Sequence, residues 1–243
     1  MLNNVLFVFE GITTENKIVK SLEKNFFLGK TVIKSVFDGD IYQLYKQLQQ
    51  DEFLDIFSIL KERSTKNLDL FEKYTRNDFA EIYLFFDYDG HATKADDEKI
   101  EKMLAFFSEE TEQGKLYISY PMVEALKHIP EHRESFKDLR VLSNENIGYK
   151  ELVDQTGFSN FKDYRKYNKD IWRELIDLHL CKANYLVTGS FQFPQDLISP
   201  EKIFESQRSN YIKPEFSVAV LSAFPCFIHD YFGNTELTKI CLI

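Results

Sequence analysis

The sequence predicts an α/β fold: a mostly parallel sheet flanked by helices, with a helical insertion and a mainly helical C-terminal part. Three observations predict it. The runs at 4–9 (after Asn4), 82–86 and 116–118 are apolar at successive positions, as strands buried on both faces are. Between them lie stretches with apolar residues at i, i+3, i+4 and i+7, the period of an amphipathic helix. Strand alternating with helix implies right-handed crossovers between parallel strands.

The elements follow in order. The first strand spans 4–9; Gly11 and then Thr13 or Thr14, as an N-cap, lead into a helix ending near Lys24. Thr31–Val36 alternates more and reads as a second strand, which Asp38-Gly39-Asp40 breaks. Ile41, Leu44, Tyr45 and Leu48 form one apolar stripe, and Phe53, Ile56, Phe57 and Leu60 form another. With the polar, partly helical 64–80, these make 40–80 a helical insertion. Ile82–Phe86 is the third strand. Ile100, Met103, Leu104 and Phe107 mark a helix over 95–112, with Gly114 as its stop. Leu116–Ile118 is a fourth strand, and Pro121 opens a helix carrying Met122, Val123 and Leu126. Leu139–Leu142 reads as a last short strand. Residues 1–145 thus form one domain and 146–243 a helical region. In the latter, Ile171, Leu175, Leu178 and Leu186 mark a helix over 168–187, Pro214 opens another, Pro225 kinks or ends it, and Gly233 is a stop.

Composition narrows the class. The 243 residues are 44% hydrophobic and 28% charged, enough for a sizeable core. The formal net charge of −9 lacks the whole-surface basic footprint of a tight duplex binder, although metal or a local Lys/Arg stripe can still meet phosphate. Cys181, Cys226 and Cys241 are scattered with no C-x-x-C pair, which argues against a zinc ribbon or disulfide framework. The N-terminal run is cut short by Glu10 and has no basic start, so it reads as a strand and not a signal peptide. No stretch reaches the roughly 18 apolar residues that span a bilayer. A cytoplasmic protein with no membrane contact is the expectation.

Acids punctuate the strand ends. Glu10 follows the first strand, Asp87 and Asp89 follow the third, and Glu124 lies one helical turn beyond the fourth. In a parallel sheet all carboxyl ends share one edge, where ligands bind. Clustered carboxylates there repel unless a cation joins them, and hard oxygen donors suit Mg²⁺ or Mn²⁺. The usual use of such a site is phosphoryl transfer.

Glu10-Gly11 after the first strand and Asp87-Tyr88-Asp89 after a later one resemble the signature of the Toprim domain, the fold shared by topoisomerases, DnaG-type primases and OLD-family nucleases. Glu10-Gly11-Ile12-Thr13-Thr14-Glu15 is similar to the opening of RloB-like and OLD-like Toprim proteins of bacterial defence systems, in which a further Glu follows a later strand, as Glu124 does here. The resemblance covers about residues 4–145. It implies Glu10 as general acid/base or metal ligand, Asp87 and Asp89 as metal ligands, and Glu124 as an additional one, holding one or two metals. It departs at Gly90-His91, where some Toprim enzymes carry a further acid, and in the long 40–80 insertion. The activity it implies is Mg²⁺-dependent nuclease action on DNA or RNA in anti-phage defence.

Other residues are weaker candidates. Lys182, with His179 on one face of a helix, is a candidate catalytic residue that neutralises substrate phosphate. His91, Arg208 and Lys17 are candidate phosphate contacts. Pro130 between His128 and His132 spoils a helical zinc pair. Gly29-Lys30-Thr31 lacks the rest of a phosphate loop, so no ATPase is expected and any ATP-driven regulation falls to a partner ATPase. Homo-oligomerisation is compatible with the sequence. Two other function classes are a non-catalytic Toprim-like scaffold that senses or binds a partner and a metal-dependent phosphotransferase on a small nucleotide.

Overall fold

The structure, a computed structural model, describes residues 4–11, 13–27, 31–50, 55–63 and 67–241. Phe53, Gly29 and Lys30, singled out above, lie outside the described residues, as do Ile12 and residues 64–66. Contacts group the chain into two units. One comprises Met1–Asp87 with Asp96–Tyr117, and the other Tyr88–Ala95 with Ile118–Ile243. The sequence places a division at 146 instead.

In the first unit the order is β1 (Asn4–Phe9), α1 (Glu15–Asn25), β2 (Thr31–Val36), α2 (Ile41–Leu48), α3 (Ile56–Arg63), α4 (Leu68–Lys73), β3 (Glu81–Asp87), α5 (Asp97–Phe106), β4 (Ser108–Glu109) and β5 (Gly114–Ser119). The described strands form a mostly parallel five-stranded sheet in the order β2-β1-β3-β5-β4. β1 is parallel to both β2 and β3. Val5–Phe9 are all within 1% of full burial, which is why the run carries no polar alternation. Each such side chain contributes about 1.5–3 kcal/mol through burial. The rings interlock: Phe7 lies edge-on to Phe85 at 5.3 Å, Phe9 stacks on Phe85 at 5.5 Å, and Phe85 stacks on Tyr117 at 5.8 Å.

The insertion has a structural task. Asn67, buried on the far side of α3, donates to Val36 O at 2.8 Å and accepts from Val36 N–H at 3.0 Å. It pairs with the edge strand as a further strand would, which blunts that edge. Asp40, read above as a breaker, caps α2 by accepting from Gln43 N–H at 2.7 Å. Thr14 precedes α1 without a side-chain cap bond.

The helix expected over 95–112 ends at Phe106, because the chain turns back as an antiparallel hairpin of β4 and β5. Gly114 therefore opens a strand instead of stopping a helix. Its φ of +111° is open to glycine, and a Cβ there would lie 2.7 Å from Leu84 Cδ1. Arg76 fastens this hairpin, donating to Thr111 O at 3.0 Å and Glu112 O at 2.7 Å.

In the second unit β6 (Arg140–Leu142), α6 (Tyr149–Thr156), α7 (Lys169–Thr188), α8 (Pro200–Gln207), α9 (Lys213–Glu215), β7 (Ser217–Ala219) and α10 (Ala223–Cys241) follow. β6 pairs with β7 antiparallel, and Gln207 clamps β7 through Ala219 N–H (2.9 Å) and Ala219 O (2.7 Å). Asn168 caps α7 by accepting from Ile171 N–H at 3.0 Å, and Gly189 ends it with φ 82°. Pro121 does not open an α-helix; it follows a cis peptide and precedes a 3₁₀ turn, Val123–Lys127. Pro225 sits in the first turn of α10, where a missing N–H costs no helical bond, and the break falls at Gly233 with φ 65°. Among the described residues no helix is long and apolar enough to cross a membrane.

Gly114→Ala should destabilise the chain by about 1–3 kcal/mol through strain at positive φ and the clash with Leu84. Urea unfolding checks this; an unchanged midpoint would show that the hairpin relaxes freely.

Candidate functional site

β1 and β3 run side by side in parallel, with Phe9 opposite Phe85. The residues beyond those partners emerge at one edge. Glu10 follows β1 directly, Asp87 is the last residue of β3, and Glu10 Oε2 accepts from Asp87 N–H at 3.4 Å. Both acids are half-buried. The structure thus brings together two of the sequence-predicted acids, from positions far apart in the chain, within the first unit.

Asp87 and Asp89 straddle the point where the chain passes from the first unit to the second. Asp89 adopts φ 45°, a left-handed conformation that a short polar side chain tolerates. The turn around it is pinned within the second unit. Tyr88 N–H donates to Ser119 O at 3.0 Å and Pro121 O at 3.1 Å, and its ring packs on Tyr120 at 5.7 Å. A Cβ at Gly90 would lie 2.5 Å from the Tyr88 ring and 2.8 Å from Ser143 O, so only glycine permits the approach.

Glu124 stands elsewhere in the second unit, in the turn Val123–Lys127. It is 4% exposed. Lys150 Nζ lies 3.8 Å from Oε1, and Oε2 is buried without a hydrogen-bond partner. Burial raises its pKa above the usual carboxylate range, and Lys150 partly opposes that. Among the described residues no group of three or more His, Cys, Asp or Glu side chains forms a ready-made metal cage.

Lys182 is put to a use other than the substrate contact the sequence suggests. It is fully buried, donates to Phe136 O at 2.8 Å and Leu139 O at 2.5 Å, and sits 4.4 Å over the Phe136 ring. Burial lowers its pKa well below the usual lysine value. Its Nζ ties the segment before β6 to α7. His179 beside it is equally buried; its Nδ1 accepts from Ser222 N–H at 3.2 Å, and burial lowers its pKa to about 3. His128 lies 2.9 Å from Tyr149 Oη and 3.0 Å from Thr156 Oγ1, and burial lowers its pKa to about 4. It is a packing residue, and His132 precedes a separate 3₁₀ turn, Arg133–Phe136. Lys17 and His91 are exposed, and Arg208 opens a π-helical segment, Arg208–Ile212.

Sequence reasoning missed the segment 142–151. With the Asp89–His91 turn and Pro121-Met122 it lines a cavity of about 230 Å³ in the second unit. Its one legible signal is Asn146 and Gly148 just ahead of α6, a turn whose geometry shows in Asn146 Oδ1 accepting from Gly148 N–H at 3.0 Å. Comparison with protein-family models, with curated proteins and with solved structures finds no match to this chain.

Two stability predictions follow from the buried histidines and Lys182. His128 and His179 protonate more readily unfolded than folded, so their contribution is complete above pH 6.5 and lost as pH falls towards 4. The His128 share is up to about 3 kcal/mol at 1.36 kcal/mol per pH unit. Glu124 has the opposite sign, since its raised pKa lets the folded state take up a proton first. Urea midpoints at pH 7 and pH 4.5 should show the net loss; equal midpoints would contradict it. Lys182→Ala should cost about 2–4 kcal/mol, because it leaves a void and two carbonyls without donors. Thermal unfolding measures this, and a melting temperature equal to wild type would show that the carbonyls find other donors.

Proposed function

We propose that this chain is a Mg²⁺- or Mn²⁺-dependent nuclease that hydrolyses phosphodiester bonds in DNA or RNA, serving as a cytoplasmic effector of anti-phage defence. The observation that carries the proposal is the pairing of Glu10 with Asp87 at adjoining strand ends, in the order the Toprim resemblance implies. The donors fit the metal: Mg²⁺ is commonly held by one or two carboxylates, with water and substrate phosphate completing an octahedron. A divalent ion there would supply polarisation of the phosphodiester and a more acidic attacking water.

The chain's own residues divide the remaining work. Asp87, at the end of β3, would provide a hard oxygen donor, and the resemblance adds Asp89 as a second. Glu10 takes the proton from the attacking water, since its carboxylate is held at the same strand end by the Asp87 amide. The resemblance adds Glu124 as a further acid. Lys182 is left out of the chemistry because its Nζ is buried and donates to Phe136 O and Leu139 O. ATP-driven regulation is assigned to a partner ATPase.

Glu10→Gln and Asp87→Asn should each lower Mn²⁺-dependent cleavage by about a hundredfold or more, with melting temperatures near wild type. Plasmid, single-stranded DNA and tRNA are the substrates to screen. Wild-type rates in both variants would overturn the proposal.

A further inference from the structure

The cavity in the second unit carries an inference that rests on the nuclease reading and extends it to the substrate. Its walls are apolar: Met122 and Ile147 are half-buried and Tyr149 is buried. Leu142, on its edge, is 44% exposed, one of few large apolar side chains so open among the described residues. Polar and charged residues complete the lining, among them Asp89, His91, Glu145, Asn146 and Lys150. A volume of about 230 Å³ is small beside the 300–1,000 Å³ of sites for drug-sized ligands, and it suits one planar ring system.

The walls are held in place. Gly90 allows the Asp89 turn to lie against Ser143 O, and Ser143 N–H donates to Phe216 O at 2.9 Å, which anchors the segment after β6. Tyr149 is fixed by its hydroxyl, 2.9 Å from His128 Nδ1. A preformed slot with apolar walls and a polar mouth matches a molecule with apolar faces and a hydrogen-bonding edge. A nucleobase has that form. Acidic and amide groups at the mouth match the exocyclic amine and ring N–H donors of bases. Among the charged lining residues Asp89, Glu145 and Glu151 outnumber Lys150, which favours an uncharged ring over a phosphate there.

We propose that this pocket receives one unpaired nucleobase of the substrate. A base in a duplex is stacked and paired and cannot enter, so the substrate is single-stranded or opened at that nucleotide. Stacking on apolar walls is sequence-tolerant, so all bases are expected to enter.

The test is equilibrium binding in EDTA, read by fluorescence anisotropy of labelled single-stranded DNA and RNA 10-mers, which separates base capture from metal chemistry. Wild type should bind an intact 10-mer at least tenfold more tightly than the same strand with abasic positions or its duplex. Ile147→Trp, which fills the slot, should remove that preference while the melting temperature stays at the wild-type value. Leu142→Ala, which trims the edge without filling the slot, should weaken intact-strand binding by a smaller factor. No binding by wild type, equal binding of intact and abasic strands, or an unchanged preference in Ile147→Trp would overturn the pocket. Loss of cleavage in Glu10→Gln with the base preference intact concerns only the nuclease chemistry; base-independent binding with cleavage intact sinks the pocket alone.

Discussion

Parallel pairing of β1 with β3, with both strands buried on both faces, is the constraint on which the first unit depends. Phe7, Phe9, Phe85 and Tyr117 fill the sheet faces with rings in edge and stacked contact. No charge can sit inside such a pair without a large desolvation cost. The acids that follow the buried runs 5–9 and 82–86 therefore occur where the strands leave the core, at Glu10 and Asp87, and parallel direction puts both at the same edge. The chemistry proposed for that edge follows from the packing, because the aromatic pair fixes the place and direction of both carboxylates.

The second unit uses buried polar groups as connectors. Lys182 ties two carbonyls to α7, His179 accepts a backbone amide, and Gln207 completes the edge of β7. Each of these three side chains, removed from water, meets a partner, as burial demands. Glu124 Oε2, by contrast, is buried without a hydrogen-bond partner. The 3.8 Å approach of the exposed Lys150 to Oε1 leaves this carboxyl half-satisfied.

The long apolar strands were legible because their pattern is strong. β1 and β2 match the sequence reading residue for residue at 4–9 and 31–36, and α7 differs from it by one residue at each end. β4 and β7 were not legible, since two or three residues carry no period and their pairing is set by distant partners. Gly114 was misread for a related reason: a glycine after an apolar helix marks a stop equally well whether the chain ends a helix or opens a hairpin strand. At the candidate site, strand-end reasoning sufficed for Glu10 and Asp87. Lys182 was misread because a polar residue on an apolar stripe must find a partner, and its spacing does not say whether that partner is substrate or a carbonyl. The cavity beside Asp89 was not legible because its walls come from three separate segments.

The most direct test of a metal site at the strand ends is anomalous diffraction from crystals soaked in Mn²⁺. A peak within coordination distance of the Glu10 and Asp87 carboxylates, lost in Asp87→Asn crystals, is the expected result. Ordered Glu10 and Asp87 side chains with no manganese peak beside them at saturating Mn²⁺ would contradict it.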